Sequence, residues 1–259
     1  MKETVVLITQ ARVGSSRLPG KVMKQINGEA LLQIHLKRLS RAKRVDQIIV
    51  ATTIAPADQV IVELVLAQDY QCFRGSETDV LDRYYQAVKQ LAPQSGWVVR
   101  VTSDCPLIDP VLVDEVIAFA IDKNVDYVSN GLVERYPNGQ DVEVFKWTAL
   151  QRAWDEARLG SEREHVTPFI KTHSDFNGGT LFTALNYSAT ADYSDVRMTV
   201  DEPEDLILIE KLLLGLGTHQ PWRSYVDYVY EHRLQQINGH IRRNEGYLKS
   251  LQADKEQSS

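Results

Sequence analysis

The sequence contains little cysteine and little histidine. Its 259 residues include two cysteines, Cys72 and Cys105, and six histidines that show none of the paired spacings typical of zinc sites. Two thiols are too few for a disulfide framework, and they form no metal framework without paired histidines. We therefore exclude a small secreted fold stabilised by disulfides, and we expect a reduced, cytoplasmic protein.

Long apolar runs and an excess of basic residues are also missing. No segment reaches the roughly 18 apolar residues of a membrane-spanning helix. The first residues lack the long apolar region and the cleavage site of a signal peptide. The net charge of −6 argues against non-specific binding to nucleic acid. We expect a protein that binds neither membranes nor nucleic acid.

The first 130 residues alternate between strand and helix patterns. Three apolar runs, at 4–9, 47–52 and 97–102, are typical of strands that are buried on both faces. Apolar residues at helical spacing lie between them and again over 79–92, and Asp109-Pro110 predicts the start of a further helix. Such alternation indicates an α/β fold with right-handed crossovers and a mostly parallel sheet.

The alternation ends after Ser129. Pro137-Asn138-Gly139 predicts a turn, and the last eight residues are polar and are expected to be disordered. The other predicted elements are strands at 142–145, 180–188 and 196–200, and helices at 147–158, 162–172, 204–216 and, as one or two helices, 222–250.

Residues 9–21 combine small residues with three cations, directly after the first predicted strand. Gly14 and Ser15 leave backbone N–H groups accessible, and Arg12, Arg17 and Lys21 supply positive charge. This loop is suited to bind a polyphosphate, although a solvated basic loop has the same composition. It is not a Walker loop, because five residues separate its glycines and Val22 follows the lysine.

Two aspartates follow predicted strands. Asp104 comes after the strand at 97–102, and Asp201 comes after the strand at 196–200. If both strands lie in one sheet, the two carboxylates meet near the loop, where they suit Mg²⁺ beside a polyphosphate. The alternative is that each aspartate caps a helix, since each precedes a proline and a predicted helix.

Six segments carry closely spaced charged, small and proline residues, beginning with Ala11-Arg12-x-Gly14-Ser15-x-Arg17-x-Pro19-x-Lys21. The others are 74–83, 100–107, 141–145, 163–168 and 199–206. In this order they resemble the cytidylyltransferases that activate acidic sugars, the CMP-sialic acid and CMP-Kdo synthetases. Within that family they are most similar to the branch named for the spore-coat polysaccharide biosynthesis protein F. The resemblance covers about four-fifths of the chain.

The resemblance implies a Rossmann-like nucleotidyltransferase (GT-A-like) fold, with a mostly parallel sheet flanked by helices. It implies a catalytic domain at 1–220, an insertion at about 131–190 for acceptor binding and homodimerisation, and a helical extension at 221–259. The implied reaction is Mg²⁺-dependent transfer of CMP from CTP to a nonulosonic or Kdo-like acid, for surface polysaccharide biosynthesis. The sugar itself, and CTP rather than another nucleotide, are not decided by the residues.

The resemblance also assigns residues to roles. The catalytic set comprises Arg12, Lys21, Asp104 and Asp201, of which the two aspartates are the expected magnesium ligands. The expected nucleotide-binding residues are Ala11, Arg12, Gly14, Ser15, Arg17, Lys21, Arg74 and Ser76. The last two are placed at the cytosine, although a surface turn also explains Arg-Gly-Ser.

Two polar stretches, at 140–143 and 163–165, are the candidates for acceptor binding. The candidate residues are Gln140, Asp141, Glu143, Arg163 and His165. An arginine such as Arg163 suits the carboxylate of an acidic sugar, because its planar fork binds two oxygens at once. Asp141 or Glu143 is a possible base for the attacking hydroxyl, ranked no higher than activation by the metal; Glu143 is alternatively a solvent-facing strand residue.

Two other functions remain open at this point. A glycosyltransferase has a similar sheet, but many such enzymes carry Asp-x-Asp at the metal, whereas only one acid is present in Asp104-Cys105-Pro106. A catalytically silent nucleotide-binding protein is the other alternative, and the presence of both aspartates and all three loop cations argues against it.

Overall fold

A seven-stranded sheet forms the centre of the computed structural model, which describes residues 3–257 of the chain. The strands, including a separate two-stranded hairpin, are β1 (Thr4–Gln10), β2 (Gln25–Ile26), β3 (Glu29–Ala30), β4 (Gln47–Thr53), β5 (Gln71–Gly75), β6 (Ser95–Thr102), β7 (Tyr127–Ser129), β8 (Glu143–Lys146) and β9 (Ala184–Asn186). The order across the sheet is β5-β4-β1-β6-β8-β7-β9, and β2 pairs with β3 alone.

Helices cover both faces of this sheet. They are α1 (Leu31–Leu39), α2 (Gln59–Leu66), α3 (Val80–Leu91), α4 (Pro110–Lys123), α5 (Trp147–Glu156), α6 (Gly160–His165), α7 (Pro168–Thr172), α8 (Pro203–Leu216), α9 (Trp222–Glu231) and α10 (Glu245–Gln257). Among the described residues no helix is long and apolar enough to cross a membrane.

The strand directions confirm the α/β architecture expected from the sequence. β5, β4, β1 and β6 run parallel to one another, β8 is antiparallel to both β6 and β7, and β9 is parallel to β7. Alternate residues of β1 enter different cores: Val6 and Ile8 pack with α3, while Val5 and Leu7 pack with α4. The sheet is therefore buried on both faces, which explains the continuous apolar run at β1.

The register of β1 and β6 brings two loops together. Gln10 lies opposite Thr102, so the segments after both strands leave the same edge of the sheet side by side. Asp109 caps α4 as predicted, because its Oδ1 accepts a hydrogen bond from the amide of Val111 at 2.8 Å. Pro110 occupies the first turn, where a missing N–H costs nothing.

Two predicted elements are wrong in form. The helix predicted at 162–172 is divided into α6 and α7, because Val166 has a positive φ of 74° and Pro168 cannot continue a preceding helix. The strand predicted at 196–200 does not join the sheet, since its only described ladder contact is a single bridge between Arg197 and Asn138. Gly139 allows this close approach, because a Cβ there would lie 2.6 Å from the backbone of Met198.

Other boundaries also differ from the sequence predictions. The strand predicted at 180–188 is limited to β9, and β5 and β7 were missed. The region 222–250 holds α9 and the start of α10, and the segment between them contains a short 3-10 helix, Leu234–Gln236. The expected disorder of the last eight residues is wrong for 252–257, which lie in α10; Ser258 and Ser259 lie outside the described residues. Asp254 explains part of this order, since its carboxylate accepts from the amide of Ser161.

Candidate active site

The loop at 11–21 leaves β1 and is braced by backbone contacts. The amide of Ala11 donates to a carbonyl of β4 at 3.2 Å, and the amide of Val13 donates to Asp58 Oδ1 at 2.7 Å. Gly20 closes the loop by donating to Val13 O at 2.9 Å, with a φ of 67° that favours glycine. The loop is therefore held in shape without any ligand.

The tip of this loop is open. Among the described residues, no heavy atom beyond Gly14 and its two chain neighbours lies within 4 Å of the position that a Cβ on Gly14 would take. Ser15 is bonded within the loop, since its Oγ accepts from the amide of Leu18 at 3.4 Å. The small residues thus leave space beside the cations, as a loop that binds a polyphosphate requires.

Lys21 connects the two predicted metal ligands. Its Nζ lies 2.9 Å from Asp104 Oδ2 and 2.8 Å from Asp201 Oδ1. Burial by itself lowers the pKa of the ammonium, but the charges of both aspartates outweigh burial and raise the pKa of Lys21 to about 12. Burial likewise opposes ionisation of Asp104, yet Lys21 holds the pKa of that carboxyl well below its usual range. Lys21 and Asp104 are therefore both charged at neutral pH.

Asp201 reaches this point although its segment is outside the sheet. The amide of Val200 donates to Asp104 O at 2.8 Å and aligns the two segments. Asp201 also pairs with Arg17 Nη2 at 2.9 Å and with Arg197 Nη2 at 2.8 Å. The two carboxylates therefore lie close together, as predicted from the strand ends. The segment before Asp201 is aligned by the hydrogen bond from Val200 to Asp104, which lies in the loop after β6, and not by pairing within the sheet.

The helix-cap alternative does not describe these aspartates. Asp109 rather than Asp104 caps α4, and Glu202 rather than Asp201 holds the N-cap position of α8. The amides of Asp201 and Glu202, just before α8, donate to Asp205 Oδ2 at 2.9 and 3.0 Å. Arg197 in turn binds Asp205 at 2.8 Å through Nε. The local sequence pattern around Arg197 does not indicate this buried pair with Asp205.

The donor set at this point suits Mg²⁺. A cation, the Lys21 ammonium, already lies within hydrogen-bond distance of one oxygen from each of Asp104 and Asp201. Among the described residues no group of three or more His, Cys, Asp or Glu side chains is arranged to hold a metal. Mg²⁺ commonly binds through one or two carboxylates and completes its shell with water and substrate phosphates. The two aspartates therefore fit a metal that arrives with a polyphosphate.

A further cation, Arg83 on α3, lies close enough to the loop residue Arg12 for the two charges to interact. Arg12 is exposed, whereas Arg83 on α3 is only 2% exposed, and its Nε and Nη1 have no hydrogen-bond partner among the described residues. Burial lowers the pKa of Arg83, and the charge of Arg12 acts in the same direction. Buried donors without partners beside another cation favour binding of an anion. The residue types alone did not single out Arg83 within 74–83.

Arg74 and Ser76 make contacts within the protein. Arg74 donates through Nε to Thr53 O and through Nη2 to Ala55 O, both at 3.0 Å. Ser76 Oγ accepts from the amide of Asp79 at 3.0 Å, just before α3. These contacts hold the loop after β4 against β5. The cytosine-binding role of the two residues stays a prediction.

Glu143 lies in a buried cluster of charges. The side chain of Glu143 is buried, with 4% of its surface exposed. Its carboxylate pairs with Arg100 and lies 2.8 Å from Lys171 Nζ. It also accepts hydrogen bonds from the hydroxyls of Tyr127 and Thr167, at 2.6 Å each. Burial raises its pKa, but Lys171 and Arg100 outweigh burial and hold the pKa well below its usual range. Glu143 therefore does not face solvent, and its low pKa makes it a weak base. The sequence pattern does not indicate which residues contact Glu143.

Gln140 and Asp141 differ in exposure. Gln140 is fully buried and braces the segment after β6, accepting from Asp109 N and donating to Leu107 O at 2.9 Å each. Asp141 is more exposed and pairs with Arg243 Nη2 at 2.5 Å. Gln140 thus acts on the site by positioning the chain near Asp104.

The two other candidates for the acceptor side are also bonded within the protein. Arg163 donates through Nε to Asp79 Oδ2 at 2.6 Å and through Nη1 to Trp154 O at 3.1 Å. His165 Nε2 lies 3.1 Å from Ser250 Oγ. Burial, followed by the charge of Arg100, lowers the pKa of His165 to about 4, so the ring is neutral at pH 7. The neutral ring retains one donor and one acceptor.

Comparisons with known proteins agree with this geometry. A family model described as cytidylyltransferase matches residues 6–237. The spore coat polysaccharide biosynthesis protein SpsF of Bacillus subtilis is 30% identical over 218 residues, which are 82% of this chain and 88% of that protein. A 3-deoxy-manno-octulosonate cytidylyltransferase of Anaeromyxobacter dehalogenans is 33% identical over 113 residues, 44% of this chain and 46% of that protein.

A solved structure shares nearly the whole architecture. A cytidylyltransferase from Leptospira borgpetersenii superposes with a TM-score of 0.84 and 26% identity, over 93% of this chain and 99% of that chain. The site at the carboxyl edge of the sheet therefore lies within an architecture that this solved protein shares.

Proposed function

The chain belongs to the cytidylyltransferase family and is a nucleotidyltransferase, and from this premise we propose that it transfers CMP from CTP to an acidic sugar with release of pyrophosphate. One observation carries the proposal. The cationic loop after β1 meets Asp104 and Asp201 through Lys21, so groups for a triphosphate and for its metal lie in contact. The family model describes cytidylyltransferases, which favours this function over a glycosyltransferase.

The chain's residues bind and neutralise the triphosphate. Arg83 has donors without a partner among the described residues, and Arg12 adds an exposed guanidinium. Lys21 and Arg17 exchange protein carboxylates for phosphates. Asp104 and Asp201 would hold Mg²⁺, which when bound neutralises phosphate charge and lowers the pKa of a coordinated hydroxyl. In-line attack on the α-phosphate then depends mainly on positioning and on stabilising the leaving pyrophosphate.

The cluster of Arg100, Lys171 and Glu143 carries a net positive charge, which suits an acidic sugar. Arg100 and Lys171 share the single carboxylate of Glu143, and Arg100 Nε has no hydrogen-bond partner among the described residues. Lys171 is about one-third exposed, whereas Arg163 is engaged elsewhere. Lys171 and Arg100 are therefore better placed than Arg163 to bind the acceptor's carboxylate. The name of the Anaeromyxobacter relative supports the same substrate class.

A substrate panel tests this function. The purified protein is incubated with each of four nucleoside triphosphates, Mg²⁺ and a set of acidic and neutral sugars that includes Kdo, and pyrophosphate is measured. We expect release only with CTP and an acidic sugar, and none after chelation of the metal. Equal release with neutral sugars would contradict the acidic acceptor. Consumption of a preformed nucleotide sugar without pyrophosphate would instead indicate a glycosyltransferase.

Arg83 offers a separate test of the phosphate site. Arg83→Met keeps the apolar stem and removes a guanidinium, so we expect CTP affinity to fall about 10- to 150-fold, from the 1.5–3 kcal/mol of a hydrogen bond to a charged group. Because Arg83 Nε and Nη1 have no described partner, the thermal stability should not fall with the affinity. Titration calorimetry with CTP and Mg²⁺ measures the effect.

The control for this variant is Arg152→Met. Arg152 is an exposed arginine of α5 that pairs with Glu156 four residues later, and it should bind CTP as the wild type does. An unchanged affinity in Arg83→Met would remove Arg83 from the phosphate site.

The homodimer predicted from the sequence stays a prediction, which sedimentation at micromolar concentration tests.

A further inference from the structure

The C-terminal helix α10 contacts both halves of the proposed site. It lies beyond residue 237, where the family match ends. At its start, Glu245 Oε2 is 3.4 Å from Arg17 Nη1 in the cationic loop. One and a half turns later, Ser250 Oγ donates to Glu164 Oε2 at 2.7 Å and lies 3.1 Å from His165 Nε2. One helix therefore touches a triphosphate-binding cation and the acceptor side.

The segment before α10 contacts the acceptor side as well. Arg243 Nη2 pairs with Asp141 Oδ1 at 2.5 Å, and its Nε lies 3.3 Å from Glu134 Oε1. It also donates to the carbonyl of Tyr136 at 3.1 Å. The chain from 243 to 250 thus covers residues that sequence analysis assigned to acceptor binding.

The contacts that hold α10 in place are mainly polar. Leu248 is 38% exposed, and Asp254 is the only buried side chain among the described side chains of α10. The Asp254 carboxylate accepts a hydrogen bond from the amide of Ser161. Tyr247 meets His165 edge to face, with 5.1 Å between ring centroids. An element with little buried apolar surface opens at a low free-energy cost. The helix is therefore suited to leave its position.

Arg17 is the point where nucleotide and helix compete. Its guanidinium contacts Asp201 at 2.9 Å and, at 3.4 Å each, Glu202 and Glu245. A phosphate carries more negative charge than a carboxylate and accepts two parallel hydrogen bonds from one guanidinium. A triphosphate near Arg17 also repels the Glu245 carboxylate. The Glu245 contact, long and partly exposed, is the one at α10 that a bound nucleotide weakens directly.

We propose that CTP binding takes Arg17 from Glu245 and releases α10, so that the acceptor side opens after the nucleotide has bound. This inference rests on the proposed function, because it requires a triphosphate at the cationic loop. It implies an order of binding in which CTP precedes the sugar. We call the contact between Glu245 and Arg17 the latch.

Hydrogen–deuterium exchange of the full chain tests the latch. With CTP and Mg²⁺ we expect slower exchange over 11–21 and severalfold faster exchange over 245–257. Glu245→Gln should show the faster exchange over 245–257 without any nucleotide, and should bind CTP about two- to fivefold more tightly, the range for loss of an exposed ion pair. Glu256→Gln is the matched control, because Glu256 is exposed on the same helix and accepts a hydrogen bond from Gln252 four residues earlier.

The outcomes separate the latch from the proposed function. Slower exchange over 11–21 with unchanged or slower exchange over 245–257 overturns the latch and leaves CTP binding intact. No change over 11–21 with CTP overturns the proposed function and, with it, release by the nucleotide. The Glu245→Gln sample contains no nucleotide, so its exchange still shows whether Glu245 holds the helix. Equal exchange in Glu245→Gln and Glu256→Gln also overturns the latch.

Discussion

Replacing Asp104 by asparagine is expected to lower pyrophosphate release from CTP by about two to three powers of ten, the usual cost of losing one preorganised charge at a reacting phosphate. Asp201→Asn should have a similar effect. Each change removes one of the two carboxylates that fit Mg²⁺ and one of the two negative charges beside Lys21. The rate of pyrophosphate release at saturating Mg²⁺ is the measurement.

The control for these variants is Asp122→Asn, which alters an exposed aspartate of α4 that pairs with Lys123 and should leave the rate unchanged. Thermal unfolding shows whether each variant is folded. Asparagine keeps an oxygen that accepts from Lys21, so a folded protein with a low rate is the expected result. Near-normal rates in both site variants would contradict the magnesium assignment.

Glu143→Gln is expected to lower the free energy of unfolding by about 3–5 kcal/mol, because it leaves the buried Arg100 without its counter-charge. Lys171 loses its carboxylate partner at the same time. Urea unfolding at pH 7 is the measurement. Glu156→Gln is the control, since its exposed pair with Arg152 on α5 is worth about 0.5 kcal/mol or less. A loss below 1 kcal/mol in Glu143→Gln would contradict a stabilising role for the cluster.

The same residue predicts a pH dependence. Burial opposes ionisation of Glu143, but Lys171 and Arg100 hold the folded-state pKa well below its ordinary value of 4.5. A depressed folded-state pKa stabilises the protein fully above the unfolded-state pKa, and this contribution is lost as pH falls below it. The stability difference between wild type and Glu143→Gln should therefore be full at pH 7 and shrink below pH 4.5.

Much of the site could be predicted because it depends on local sequence. The apolar run of β1 and the small and cationic residues after it are adjacent in the chain, so their order alone indicates a strand followed by an anion-binding loop. Asp109-Pro110 similarly indicates the start of α4. The convergence of Asp104 and Asp201 was predicted on the assumption that both preceding strands lie in one sheet. The two carboxylates do meet at Lys21, although the segment 196–200 lies outside the sheet.

The local sequence pattern does not show partners that are distant in the chain. Arg163 has the chemistry to bind a carboxylate, yet Asp79, 84 positions away, already occupies it. Glu143 follows an alternating pattern that is equally typical of a solvent-facing strand, and only the sheet order shows that α7 covers it with Lys171. The polar C-terminus has the composition of a disordered tail, but its contacts with 160–165 hold it as a helix.

The sequence by itself determined the chemistry that this protein brings to one edge of its sheet: a loop with three cations, two aspartates and the family to which their order belongs. Only the tertiary structure decided which charges remain available. Lys21 is held by two aspartates, Arg83 is buried with unpaired donors, and Arg17 is shared with the C-terminal helix. The reason is physical: residue type sets charge and hydrogen-bonding capacity, whereas burial and long-range pairing determine whether that capacity is already used within the protein.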